Sequence, residues 1–169
     1  MRETKERKIR TLLLAVLLLA GLGAVGCEPD FGLSRGRTLG VAIPDPQTWR
    51  VSSTNGGFKN IRRAADGDAS TLAVSARRYR NAQITIDLGK PCLFNLLALR
   101  HGENAFGFAR KVALSTSMDG KRYTNRYSCP GTRGITYIPV LTQILARYVR
   151  ITAVVQGSQP WAISEIYLQ

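Results

Sequence analysis

Three stretches alternate apolar and polar side chains with a period of two. Ile84, Ile86 and Leu88 alternate with Gln83, Thr85 and Asp87; Val112 and Leu114 alternate with Lys111 and Ala113; Val149, Ile151 and Ala153 alternate with Arg150 and Thr152. That period puts one set of side chains on one face of an extended chain, which is the pattern of a half-buried strand. The segments "LGKP", "MDGK", "CPGTRG" and "QGSQP" punctuate the runs and read as turns by composition. No helical stripe is sustained beyond the first 26 residues, and no internal repeat is present. Residues 46–169 therefore predict about eight short antiparallel strands folded as one β-sandwich around a single core. The fold class expected is all-β.

The start of the chain follows different rules. Arg2, Lys5, Arg7, Lys8 and Arg10 precede the apolar run "TLLLAVLLLAGLGAVG", and Cys27 follows it directly. A basic segment, an apolar segment and small residues, in that order, make a secretory signal. The run is shorter than the roughly 20 apolar residues that span a bilayer. "GAVGC" resembles a bacterial lipobox, which implies acylation of Cys27; Ala24 stands where that motif usually has a larger aliphatic residue. Residues 1–26 are thus expected to be a lipoprotein signal peptide. Residues 27–45, rich in Gly, Pro and charge, are expected to be a flexible tether. Glu28 after the cysteine suits display at the outer membrane or cell surface.

A net charge of +13 favours anionic partners, and its arginines are scattered: Arg62 and Arg63, then Arg77, Arg78 and Arg80. Nucleic acid is not expected, because no aromatic-basic reading motif is present and export removes the opportunity. With Cys27 assigned to a lipid, Cys92 and Cys129 form an even pair for an oxidising compartment. A bridge between them would contribute roughly 3–4 kcal/mol in the loop-entropy account. Against it, Cys92 is expected to begin one strand and Cys129 to end another, so the pairing stays open.

The loop "AADGDASTLAVS" sets Asp66 and Asp68 either side of Gly67, with Thr71 three residues on. Two readings are open. Asp66 caps an ordinary turn while Glu165 pairs with Arg62 or Arg63, or the loop holds a cation together with Glu165. The carboxylate of Glu165 sits in the last expected strand on the face of Ile163 and Tyr167, where an unpaired charge is costly to bury.

Several stretches together resemble the discoidin domain, the coagulation factor five/eight type C module, which is akin to the family 32 carbohydrate-binding modules. They are "DGDAST", "ITIDLGKP", "VALSTSMDGKRY", "ARYVRIT" and "WAISEIYL", in that order. The resemblance covers nearly all of residues 46–169. It implies a jelly-roll β-sandwich with ligand loops at one end and a structural calcium. Carried over residue by residue, the calcium ligands fall on Arg63, Asp66, Asp68, Thr71, Ser164 and Glu165. Two positions depart from the family pattern: Ala73 and Tyr123 stand where tryptophan is usual.

The resemblance places ligand loops at residues 53–60, 72–81 and 101–109, with 156–161 nearby. Within and beside them, His101 and Asn104 offer donors and acceptors, and Arg80 and Arg100 offer donor forks suited to hydroxyls or a sugar carboxylate. Trp161 follows the turn "QGSQP", which would leave its ring at the sandwich edge to stack on a sugar; the other reading makes it a plug for a core left short by Ala73. No nucleophile motif accompanies the single histidine, and glycosidase carboxyls must face each other roughly 5–9 Å apart. The expectation is a non-catalytic, glycan-binding envelope module. The alternatives are adhesion to anionic lipid or polyanion, and a structural role in an envelope complex.

Overall fold

The computed structural model describes residues 43–103 and 106–169. The signal and tether up to residue 42, Cys27 included, and Asn104 lie outside the described residues. Eight strands are present among those described: β1 (Arg50–Thr54), β2 (Ala73–Val74), β3 (Gln83–Arg100), β4 (Lys111–Ser117), β5 (Thr124–Pro130), β6 (Ile135–Val155), β7 (Ala162–Ile163) and β8 (Glu165–Leu168). Two 3-10 helices, Pro46–Thr48 and Ile61–Ala65, precede and follow β1. The expected alternation holds: Ile84, Ile86, Leu88, Val112, Leu114, Val149, Ile151 and Ala153 are all buried in one core cluster.

Hydrogen bonding follows the order β1-β3-β6-β4-β5, every neighbour antiparallel, and β8 pairs with β3 outside that path. The strands are not uniformly short. β3 runs for 18 residues and β6 for 21, so each serves both layers of the sandwich. Residues 83–87 of β3 lie between β1 and residues 148–152 of β6. Residues 97–100 lie between β8 and residues 135–138 of β6. The register slips between Asp87 and Cys92, and again between Phe94 and Leu96. "LGKP" therefore bends β3 rather than ending it. Gly89 adopts φ +80° there, its N–H held by the Asp87 carboxylate at 2.8 Å. The same carboxylate takes two bonds from the Arg147 guanidinium, at 2.8 and 3.0 Å, which holds it well below the usual aspartate range.

Cys92 accordingly lies within β3, opposite Ala146, and does not begin a strand. Cys129 lies in β5 opposite Val112. Both are buried thiols with no bridge between them, and their S–H groups reach the carbonyls of Lys90 at 3.4 Å and Tyr137 at 3.6 Å.

Two residues expected at the surface are in the core. Trp161 is fully buried; its ring stacks on Tyr79 with centroids 6.0 Å apart and meets the edge of Phe58 at 5.7 Å. Ala73, paired with Ile163 in the short β2–β7 ladder, is also fully buried. Of the two readings, the plug is the one formed. His101 is buried too, with Nδ1 2.8 Å from the Ala162 carbonyl and Nε2 2.9 Å from Thr136 Oγ1.

Two substitutions test this packing. Trp161→Ala should cost about 3–5 kcal/mol in urea unfolding, the range for truncating a buried tryptophan; a loss below about 1 kcal/mol would place the ring outside the core. A Cβ on Gly131 would sit 1.8 Å from the Ala109 carbonyl oxygen, which belongs to the backbone and cannot swing aside. Gly131→Ala should therefore lower the melting temperature clearly, whereas Gly134→Ala, with open space but φ +77°, should cost only its strained backbone, about 1–2 kcal/mol.

Candidate functional site

The loop after the Ile61–Ala65 helix folds on its own polar groups. Asp66 Oδ1 accepts from the Asp68 N–H at 3.0 Å, and Asp66 Oδ2 accepts from Thr71 Oγ1 at 2.8 Å. The same hydroxyl lies 3.2 Å from the Asp68 carbonyl oxygen and 3.5 Å from that of Arg63. The Asp68 carboxylate turns away, taking the hydroxyl and N–H of Ser70 at 2.6 and 2.9 Å, and these bonds hold it below the usual range. Gly67, at φ +81°, brings the chain against Gln47, where a Cβ would meet Nε2 at 2.7 Å.

Glu165 faces this loop from β8. It is 4% exposed, and its Oε1 is without a hydrogen-bond partner. Burial pushes its carboxyl up to about 7, the charges of Asp66 and Asp68 add to the shift, and the Gly67 N–H opposes it. The ion pair with Arg62 is not formed. Arg62 instead donates to the Trp49 carbonyl and, at 3.1 Å, to that of Gln47. Arg63 is exposed, and Arg122–Asp119 and Arg147–Asp87 are the ion pairs found among the described residues. Ser164 is buried, its N–H and hydroxyl both directed to the Arg100 carbonyl.

Among the described residues no group of three or more His, Cys, Asp or Glu side chains is placed to hold a metal. A cation here would rely on two carboxylates plus carbonyl and hydroxyl oxygens, the hard-oxygen set that calcium takes. The orphaned Glu165 oxygen beside Asp66 fits such an ion.

A second cluster of loops is tied together by Tyr79. Its hydroxyl accepts from the Gly157 N–H at 2.6 Å and donates to the Phe108 carbonyl at 3.3 Å, while its own N–H reaches Gln156 Oε1 at 3.3 Å. Further backbone bonds join Ser75 to Trp161, Ala76 to Gly56, Ala162 to Gly107 and His101 to Gly134. The segments around residues 56, 75–79, 101–103, 106–108, 131–134 and 156–161 thus form one connected end of the sandwich.

His101 and Trp161 support that end from inside and present no surface. Burial lowers the pKa of His101, so it sits neutral, both ring nitrogens engaged. Arg80 is exposed beside the buried Tyr79, and Arg100 is exposed at the end of β3, opposite Glu165. What this end does present is Phe106, 57% exposed, with the Arg133 guanidinium 4.1 Å from its ring centroid. Arg110 sits similarly over Phe108 at 5.3 Å. Arg133 lies in the "CPGTRG" segment, which the sequence marks only as a turn; its pairing with Phe106 is long-range and leaves no local signal.

The sequence matches the F5/8 type C domain over residues 47–166. No curated protein matches the chain. Among solved structures it is similar to a CBM32 domain of Clostridium perfringens determined with GalNAc-β-1,3-galactose: TM-score 0.65, 17% identity, covering 73% of this chain and 97% of that one. It is similar to the family 32 CBM of C. perfringens NanJ determined with galactose, with TM-score 0.65, 18% identity and coverage of 76% and 97%. A chitosan-binding module from a Paenibacillus chitosanase/glucanase gives TM-score 0.61, 23% identity and coverage of 71% and 93%. These likenesses agree with the all-β sandwich expected from periodicity and with the jelly roll that the resemblance implies. With the family match spanning most of its length, the chain belongs to the F5/8 type C, or discoidin, domain family.

Proposed function

We propose that this protein is a non-catalytic carbohydrate-binding domain of the cell envelope, binding glycan at the loop end organised by Tyr79. The observation that carries the reading is the exposed Phe106 ring backed by Arg133: a planar apolar surface beside a donor fork. Similar structures were determined with galactose and with GalNAc-β-1,3-galactose, and another is named for chitosan, which supports a sugar ligand. The exposed Arg80, and Arg110 over Phe108, would add donors at the same loop end, in place of His101 and Trp161. Catalysis is disfavoured because the residues that might perform it are already committed. His101 has both nitrogens bonded in the core, and the Asp68 carboxylate is spent on Ser70.

The loop at residues 63–71 would hold a structural calcium through the Asp66 and Glu165 carboxylates, the Thr71 hydroxyl and the carbonyls of Arg63, Asp68 and Ser164. Its positive charge would offset the burial of Glu165 beside Asp66 and clip the loop to β8. Anchoring through acylated Cys27 would display the domain at the membrane surface.

Glycan-array binding of the purified protein should fall about tenfold, or ~1.4 kcal/mol, on Phe106→Ala and on Arg133→Ala, with the melting temperature unchanged. Two variants that bind as wild type would contradict the site. Binding that collapses steeply with salt would instead favour the polyanion reading. A hundredfold excess of calcium over its dissociation constant should stabilise the fold by about 2.7 kcal/mol, and Asp66→Ala or Glu165→Ala should remove that response; a wild-type melting curve indifferent to chelator would refute the ion. Fatty-acid label should appear on the wild type and vanish with Cys27→Ser, and an unlabelled, freely secreted wild type would refute the anchor.

A further inference from the structure

Away from the loop end, the exposed apolar side chains are unevenly distributed. Of the six large hydrophobics exposed among the described residues, four (Met118, Tyr127, Leu141 and Leu145) line two adjoining grooves. One groove, of about 490 Å³, lies between Asn125, Arg126 and Tyr127 of β5 and residues 140–145 of β6. The other, of about 270 Å³, continues past Arg126 and Leu145 to Met118, Asp119 and Arg122. Leu141 is fully exposed. It sits where β6 breaks its pairing with β3, between Pro139 opposite Leu96 and Ile144 opposite Phe94.

β5 also ends the sheet. Among the described residues it pairs only with β4, and its first five residues are all exposed. β6 meets β5 at its far end, where the Cys129 S–H reaches the Tyr137 carbonyl, and β1, at the opposite edge, contacts the Ile61–Ala65 helix. An uncovered edge strand offers a row of unpaired backbone N–H and C=O groups, which native proteins ordinarily blunt. Its five exposed residues, Thr124–Ser128, present about 17 Å of such edge, with a bulge at Arg126.

We propose that this edge and groove bind an extended peptide segment of a partner protein, added as a strand beside β5, in which apolar residues alternate with acidic ones. The open edge supplies main-chain pairing, and pockets at alternate positions supply side-chain selection. Tyr127, Leu141 and Leu145 take the apolar residues. Arg122 and Arg126 at the rim take the acidic ones, with Asp119 the single carboxylate among the lining residues. Their charge also argues against a second copy of this chain, since a twofold contact through this face would bring the same two arginines to it from both sides.

The test is selection of a displayed library of random twelve-residue peptides on the immobilised full-length protein, with the Leu141→Asp, Leu145→Asp double variant as counter-selection. Because both side chains are exposed, the variant should keep the wild-type melting temperature. Sequences alternating apolar and acidic residues should emerge, and their affinity should fall at least tenfold on the variant and on Arg126→Ala. N-methylating alternate backbone amides of the best peptide should abolish binding for one alternate set and spare the other, as strand addition requires. The proposal is overturned if no peptide is enriched over the counter-selected variant, or if both N-methylated sets bind equally. It is equally overturned if the double variant instead abolishes cosedimentation with phosphatidylglycerol vesicles, or converts a dimer to a monomer in sedimentation.

Discussion

Everything else in this domain hangs on the pairing of β3 with β6. It runs from Gln83 opposite Thr152 to Arg100 opposite Ile135, bending as it passes from one layer to the other. Because both strands belong to both layers, the layers cannot slide apart without breaking a ladder that carries on, across two irregularities, from one layer into the other. The inward faces then close over one core, in which Ile84, Ile86, Val149 and Ile151 share a cluster with Leu97, Leu99, Ile138 and Ile166. A one-residue slip would turn that whole set outward, so the hydrophobic pattern also fixes the register.

The strand ends carried by this ladder set up the loop end. Tyr79 ties Gly157 and Phe108 together through one hydroxyl, and the buried Trp161 supports it from below. Gly131 and Gly157 allow close approach, since a Cβ on either would fall within 1.8 or 2.2 Å of a carbonyl oxygen in the 101–110 segment. Binding surfaces profit from such rigidity, because little ordering remains to be done when a ligand arrives. The loop at residues 63–71 is built differently. There the strain is electrostatic, a buried carboxylate with one oxygen unpartnered beside a second carboxylate.

The alternation of Ile84, Ile86 and Leu88, and of Val149, Ile151 and Ala153, marked the core faces correctly because burial on one side of a sheet leaves a period of two in the sequence. The turns at "MDGK" and "CPGTRG" were legible for a related reason: their residue types serve the backbone directly. "LGKP" carries the same composition yet bends a strand, since only the pairing beyond it distinguishes a bend from an end. His101 and Trp161 were misplaced because a residue just outside a periodic run carries no sign of whether the chain turns it inward. For Trp161 the buried position was legible only as one of two readings. Phe106 with Arg133, and the groove beside β5, depend on contacts between distant segments and have no local signature.

The most direct test of glycan recognition by the loop end is a nuclear magnetic resonance titration of the isotopically labelled protein with the best-binding oligosaccharide from an array. Saturable amide shifts concentrated on Phe106, Phe108, Arg110, Arg133 and residues 156–160, with residues 140–145 unmoved, are the predicted result. Shifts centred elsewhere, for instance on the outward sheet face around Thr85, Ser115 and Arg150, or no shifts at saturating sugar, would contradict it.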